Sequence, residues 1–150
     1  MKIYRFNHFF IKEEAGISPY YHASPVSHEP ETILVGGDRF KDLPFNAKSS
    51  ETILETFRPD DCLSFAQSVF FCKGRDGFKR IRNVNQSNIF NVEPLGEIHS
   101  YDINWLYKIE DSVENRDSED VEEMARSYWE GEDSDDPIIV YVSSEVVIHG

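Results

Sequence analysis

The pattern of hydrophobic and polar positions along the chain predicts short strands separated by a few helices. The segment "KIYRFNHFFI" (residues 2–11) partly alternates and is rich in aromatic and β-branched residues, which indicates a first strand. "NIFNVEP" (88–94) predicts another strand, and "IIVYVSSEVVIHG" (138–150) predicts one long or two short strands at the end. Shorter strands are predicted within "TILV" (32–35) and "CLSFAQSVFFC" (62–72).

Three segments carry apolar residues at helical spacing. "SSETILETFRP" predicts a helix capped by Ser49 or Ser50 and stopped by Pro59. "DINWLYKIEDS" predicts a helix with Asp102 as its N-cap. "SEDVEEMARSYWEG" predicts a helix that Ser118 caps and Gly131 ends.

Residues 12–31 have the composition of a loop, with three prolines and two histidines. The order of elements is not a regular alternation of strand and helix, so the α+β class is expected. A length of 150 residues fits one domain, 1–150.

The charge balance limits the classes of partner. The net charge of −13 and the pI near 4.7 disfavour direct binding to nucleic acid or to an anionic membrane, both of which need clustered Lys and Arg. No window approaches the roughly 20 apolar residues of a membrane span, and the N-terminus lacks a small-residue cleavage site. Cys62 and Cys72 lie in apolar stretches, so we expect reduced, buried thiols and a cytoplasmic location.

Motifs for metal and phosphate chemistry are missing from the sequence. The five histidines and two cysteines lack zinc-ligand spacing, and "EGEDSDDP" lacks the glycine and closing glutamate of a calcium loop. There is no nucleophile elbow, no P-loop and no dinucleotide-binding glycine pattern. We therefore expect no metal.

A few polar residues in apolar surroundings are candidates for chemistry. Arg5, between Tyr4 and Phe6, is costly to bury unless it forms a salt bridge or clamps a phosphate, and both alternatives remain open. Ser64 is either a turn residue or a ligand-binding hydroxyl. Late acids, notably Glu132 and Glu145, are either surface charges or catalytic carboxylates.

Four short motifs together resemble a known family. "IYRF" is similar to the strand that opens mono-ADP-ribosyltransferases of the arginine-serine-glutamate type, and "CLSFAQSVFF" resembles their Ser-Thr-Ser strand. "NIFNVEPLGEIHSYD" resembles the strand exit of the small rifamycin-modifying ADP-ribosyltransferases. "ARSYWEG", followed by a terminal strand, resembles the end of small bacterial and phage domains of this type.

The resemblance implies a split, two-sheet core that binds NAD as a substrate in the cleft between the sheets. It implies that Arg5 grips the NAD phosphates, that Ser64 shapes the nicotinamide-ribose pocket, and that Tyr20 or Tyr21 stacks on the nicotinamide. A glutamate before the terminal strand would be catalytic, with Glu145 and Glu132 as the candidates. The acceptor would be a protein or another molecule.

A second function remains open from the charge pattern. Residues 110–136 are crowded with carboxylates, so the chain is alternatively a catalytically inactive binding or inhibitor protein that occupies the basic groove of a partner. The basic cluster from Lys73 to Arg82 either meets a phosphate or an acidic target, or consists of exposed charges on a hairpin. We expect Glu93-Pro94-Leu95-Gly96 to be structural and the segment from His99 to Asp102 to cap the next helix.

Overall fold

The computed structural model describes residues 18–36, 45–82, 84, 87–115 and 120–149, with the side chains of 45–48 left aside. Its described residues form a mixed α+β structure in which seven strands build one antiparallel sheet and helices pack against it. The strands are β1 (Tyr20–Ser24), β2 (Ile33–Val35), β3 (Val69–Lys73), β4 (Asn88–Pro94), β5 (His99–Asp102), β6 (Ile139–Ser143) and β7 (Glu145–Ile148). The helices are α1 (Phe45–Thr56), α2 (Asn104–Glu114), α3 (Val121–Glu130) and a 3₁₀ helix at Arg75–Arg80. The α+β class expected from the sequence is confirmed.

The strands lie in the order β2-β7-β4-β1-β3-β6-β5 across the sheet. The centre of the sheet is thinly paired, since β1 meets β3 only at Tyr20 opposite Lys73 and at Tyr21 opposite Cys72. By contrast, β1 pairs with β4 along its full length, from Tyr20 to Ser24. The chain passes from one side of this narrow junction to the other four times, between β2 and β3, between β3 and β4, between β4 and β5, and between β6 and β7.

Apolar side chains are buried on both faces of the sheet. One face supports the helices, whose Leu54, Leu106 and Tyr128 pack with Tyr101 and Val140 of the strands. The opposite face buries a second cluster, which contains Tyr20, Val69, Phe71, Val92, Ile98, Val146 and Ile148. The pattern follows from strand geometry, because successive side chains of a strand point to opposite faces.

Several elements lie where the sequence predicts them. The strand at 88–94 has the predicted bounds, and the terminal segment forms two short strands, β6 and β7. The last helix ends at Gly131, whose φ of 75° is the left-handed conformation that glycine adopts without a steric penalty. Both cysteines are buried and free, as expected.

Other predictions of local structure are wrong. The segment interpreted as a loop contains the central strand β1. Helix α1 begins at Phe45, so Ser49 and Ser50 lie inside it and are not its caps. Asp102 ends β5, and Ile103 occupies the N-cap of α2.

Two further predictions, the strand at 2–11 and the cap at Ser118, fall outside the described residues.

Candidate functional site

Polar side chains gather on one face of the sheet where β1, β4 and β7 run side by side. The register places Tyr21 of β1 opposite Asn91 of β4, and the His149 amide donates to the Asn91 carbonyl at 2.8 Å. Glu93 of β4 lies opposite Val147 of β7, so Glu145 and His149 lie two residues to either side of its partner. Because paired residues and residues two apart share a face, Tyr21, Asn91, Glu93, Glu145 and His149 form one surface, which we call the polar sheet face.

The two polar residues of β4 are deeply buried on this face. Asn91 is 7% exposed and Glu93 is 8% exposed. The Asn91 Nδ2 donates to the carbonyl oxygens of Ser18 at 2.7 Å and Tyr20 at 3.0 Å, which fixes the orientation of the amide. Its Oδ1 is buried and has no hydrogen-bond partner within the part of the chain that the structure describes. Such an acceptor costs free energy in the absence of a ligand or a water, so a buried group of this kind calls for a functional explanation.

Two titratable side chains flank Glu93. The Nε2 of His149 lies 3.4 Å from the Glu93 Oε2, and the His149 ring is half-buried. Glu145 is exposed at the start of β7, and its carbonyl accepts a hydrogen bond from the Leu95 amide at 2.9 Å. The strand exit after β4 is thus directly paired with the residue that opens β7.

An arginine covers the aromatic member of the face. The guanidinium carbon of Arg75 lies 5.1 Å from the centroid of the Tyr21 ring, within the range of a cation–π interaction. Arg75 is exposed and begins the 3₁₀ helix that follows β3, so most of the predicted basic cluster lies on this helix and not on a hairpin. A cation therefore stands at the edge of a surface that otherwise carries two carboxylates.

The turn that contains Ser64 lies next to the β2 end of this surface. The Ser64 hydroxyl donates to Gln67 Oε1 at 3.1 Å and accepts from the Gln67 amide at 3.2 Å, which is the turn role foreseen as one alternative. Gly36 holds the turn against the strands, because its amide donates to the Ser144 carbonyl while a Cβ on it would lie 2.2 Å from the Gln67 carbonyl carbon. Ser64 and Glu145 thus belong to neighbouring parts of the structure.

Other candidates from the sequence lie elsewhere. Tyr20 points to the opposite face of the sheet, where it is 5% exposed and meets the Phe71 ring edge-on at 5.0 Å between centroids. Glu132 is exposed after α3, beside α2, and its carbonyl accepts from the Trp105 indole at 2.8 Å. Glu132 is thus bound to the helical layer, whereas Glu145 lies beside the edge strand β2. Arg5 lies outside the described residues.

A histidine marks the narrow junction of the sheet. His22 follows the last residue of β1 that pairs with β3, and its Nδ1 lies 2.6 Å from the Phe70 carbonyl oxygen. The half-buried ring therefore bridges the two strands where their ladder ends. Sequence reasoning assigned this residue to a loop and did not single it out.

Asn91, Glu93 and His149 were also not identified as a site from the sequence. A usable signal existed in β4, where Asn91 and Glu93 alternate with apolar residues and so share one face. The approach of His149 to that face depends on the pairing of β4 with β7, which the local sequence does not reveal.

The acidic loop after α3 is tied to the body of the protein by two cations. The Lys108 ammonium lies 2.9 Å from Asp135, and Arg80 contacts Asp136 at 2.5 Å. The ammonium of Lys108 lowers the pKa of Asp135 below its usual value. Part of the negative charge of this loop is therefore balanced within the chain.

None of the described helices is long and apolar enough to cross a membrane. Within the described ranges, no three His, Cys, Asp or Glu side chains converge as a metal-binding group. Comparison of the chain with protein-family models, curated proteins and solved structures gave no match.

Proposed function

We propose that the protein is an NAD-dependent mono-ADP-ribosyltransferase that transfers ADP-ribose to a macromolecule or a small molecule. The observation that carries the proposal is the pairing of the strand exit after β4 with Glu145 at the start of β7. The sequence of this exit resembles that of small ADP-ribosyltransferases, whose chemistry requires a carboxylate at the ribose, and Glu145 is an exposed glutamate beside this exit.

The reaction suits an exposed carboxylate such as that of Glu145. Breaking the bond between nicotinamide and ribose develops positive charge on the ribose ring. A carboxylate that accepts a hydrogen bond from the 2′-hydroxyl stabilises that charge, and it is most effective when the surrounding protein has already positioned it. Glu145 is exposed on the polar sheet face, so we assign this role to it and not to Glu132.

The roles of the other candidate residues in binding NAD follow from where each residue lies in the fold. Tyr21, on the same face as Glu145, is the better placed of the two tyrosines to stack on the nicotinamide, since Tyr20 is buried on the other face. Arg75 offers a cation beside Tyr21 for the NAD phosphates, in addition to the role that the resemblance implies for Arg5. Ser64 would shape the ribose pocket from its turn.

The fold itself supports the same proposal. The junction between β1 and β3, which has only two residue pairs, divides the sheet into a β2-β7-β4-β1 part and a β3-β6-β5 part. We interpret these parts as the two sheets of an ADP-ribosyltransferase core. The bridge from His22 to Phe70 would then line the cleft between them.

The alternative, an acidic protein that occupies a basic groove, has less structural support. Asp135 and Asp136 already contact Lys108 and Arg80, so a partner would have to compete with bonds inside the chain. Salt-sensitive capture of a basic protein, weakened by neutralising Asp133, Asp135 and Asp136, would favour this alternative.

The first prediction compares two exposed glutamates. We expect Glu145→Gln to lower nicotinamide release from NAD by about 10²-fold or more, because the amide cannot stabilise the developing charge as a carboxylate does. Glu132→Gln is the matched control and should retain the wild-type rate, since Glu132 lies beside α2 and away from the polar sheet face. The measurement is nicotinamide release from radiolabelled NAD, with label transfer to lysate proteins followed in parallel.

Arg5→Ala serves as a second variant in the same assay and should weaken NAD binding. The proposal is wrong if the wild-type protein gives no nicotinamide release, no label transfer and no thermal shift with NAD. The assignment of the catalytic carboxylate to Glu145 is wrong if Glu132→Gln abolishes the activity while Glu145→Gln leaves it intact.

A further inference from the structure

We infer that Glu93, oriented by His149, is the general base that deprotonates the nucleophile in the proposed reaction. The inference rests on the proposed function and assigns to it a second carboxylate, distinct from Glu145. It concerns how the attacking group, whether water or the hydroxyl of an acceptor, loses its proton.

The spacing of the two carboxylates suits this division of roles. Glu145 lies two residues from Val147, the residue that faces Glu93 across the ladder, so Glu93 and Glu145 are diagonal neighbours on one face. Diagonal neighbours in an antiparallel pair have Cβ atoms roughly 7 Å apart. The two side chains therefore rise from one face at separate points, one available to the ribose and the other to the nucleophile.

The residues around Glu93 hold its side chain in place. Its carboxylate is 8% exposed and lies 3.4 Å from the His149 Nε2, while the backbone of His149 is held to Asn91. A side chain fixed in this way loses little conformational freedom in the reaction. The imidazole lies beside one carboxylate oxygen, the position of a group that orients a catalytic base.

Asn91 supplies an independent sign that a ligand belongs here. Its Oδ1 is buried and lacks a hydrogen-bond partner among the described residues, although the amide nitrogen of the same side chain is bonded twice. Asn91 lies one position along the same face from Glu93, and the Oδ1 atom can accept a hydrogen bond from an O–H or N–H group. A proton-bearing nucleophile would therefore meet two acceptors, Asn91 Oδ1 and the Glu93 carboxylate.

The step balances without any further reactant. The oxygen of the nucleophile forms a bond to C1′ of the ribose as the bond from C1′ to the nicotinamide nitrogen breaks. The bonding pair leaves with the nicotinamide, which becomes neutral. The proton of the nucleophile passes to the Glu93 carboxylate and from there to solvent.

The test uses NAD with water as the nucleophile and azide as a probe. Glu93→Gln should bind NAD with an affinity close to that of the wild type and release nicotinamide about 10²-fold more slowly, because the amide accepts no proton. Added azide is an anion that needs no deprotonation, so it should restore nicotinamide release in this variant and yield ADP-ribosyl azide. Glu97→Gln, an exposed acid on the loop after β4, is the control and should match the wild type with and without azide.

Glu93→Ala is the second variant, and its smaller side chain gives azide more room. Circular dichroism and the thermal shift with NAD establish that each variant is folded. If folded Glu93 variants release nicotinamide at the wild-type rate, or lose activity that azide does not restore, the inference is wrong while the proposed function stands. If the wild-type protein itself does not turn over NAD, both are overturned.

Discussion

At the scale of the single residue, burial controls the ionisation of Cys72. This cysteine of β3 is 2% exposed, and desolvation raises the pKa of its thiol from 9.0 to about 11. Cys62, nearby in the helix-side core, has its thiol pKa raised for the same principal reason. Both thiols are therefore protonated at neutral pH and are poor nucleophiles in the folded protein.

The second prediction concerns alkaline pH. An unfolded chain ionises Cys72 near pH 9.0, whereas the folded chain resists ionisation until about pH 11. The contribution of this group to the free energy of unfolding is therefore fully present below pH 9.0 and should be lost between these two pH values, by roughly 2–3 kcal/mol. Urea unfolding at a series of pH values measures the fall.

Cys72→Ala is the comparison for this experiment. The variant has no thiol at this position, so its free energy of unfolding should decline less steeply over the same pH range. An equal decline in both proteins would show that Cys72 does not carry the effect.

At the scale of the element, Asp102 joins parts of the fold that are distant in sequence. Its Oδ1 accepts from the amides of Asn104 at 3.0 Å and Ile138 at 2.8 Å, and its Oδ2 accepts from the amide of Ser134 at 2.7 Å. One carboxylate, 1% exposed, thereby ties the end of β5 to the start of α2 and to the segment before β6. The sequence predicted that Asp102 is the N-cap of α2, whereas the structure places it one residue before the N-cap, where it links three segments.

The third prediction is that Asp102→Asn destabilises the protein by roughly 3 kcal/mol. The amide group of asparagine directs N–H donors toward backbone N–H groups, so at least one buried donor loses its acceptor. Urea unfolding of the variant gives the change. Asp133→Asn, on an exposed residue of the acidic loop, should leave the free energy of unfolding nearly unchanged.

If the two substitutions have the same effect, the three hydrogen bonds of Asp102 contribute little.

Local sequence patterns predicted individual helices and strands better than they predicted which strands pair with each other. The strand at 88–94 and the end of the last helix were predictable because period-2 alternation and a glycine stop act locally. Strand β1 was missed because Pro19 and Pro25 flank it and give the segment the composition of a loop. Its partners are β3 and β4, which follow much later in the chain, so only long-range pairing reveals it as a strand.

The sequence indicated some residues of the candidate site but not the strand pairing that brings them together. Tyr21 and Glu145 were selected by resemblance to a family, and the fold brings them to one face. Glu93 was interpreted as part of a turn, because the sequence does not reveal that β7 lies beside β4. The contact between Glu93 and His149 depends on that register, and a one-residue shift would point one of them to the opposite face.

At the scale of the whole molecule, the excess of negative charge opposes folding. The chain has 28 acidic and 15 basic residues, and folding brings the unbalanced acids closer together. Exposed ion pairs such as Arg80 with Asp136 offset only part of this repulsion.

The fourth prediction follows from this imbalance. Raising the NaCl concentration from about 0.01 M to about 0.5 M shortens the screening length severalfold, which weakens the repulsion between acids. We expect the midpoint of thermal unfolding at neutral pH to rise with NaCl concentration. A midpoint that falls as salt is added would show that the surface ion pairs outweigh the repulsion.

The close approach of Gly36 to Gln67 has a consequence for tracing the ancestry of this chain. Even a methyl group would collide with the main chain there. Any homologous protein that preserves this arrangement must therefore keep glycine at that position, however much the rest of its sequence has changed. The resulting sequence pattern has three parts. A glycine follows the short edge strand β2, a turn that contains Ser64 comes next, and Glu145 begins β7 much later in the chain. This pattern can guide the alignment of sequences whose overall sequence identity to this chain is low.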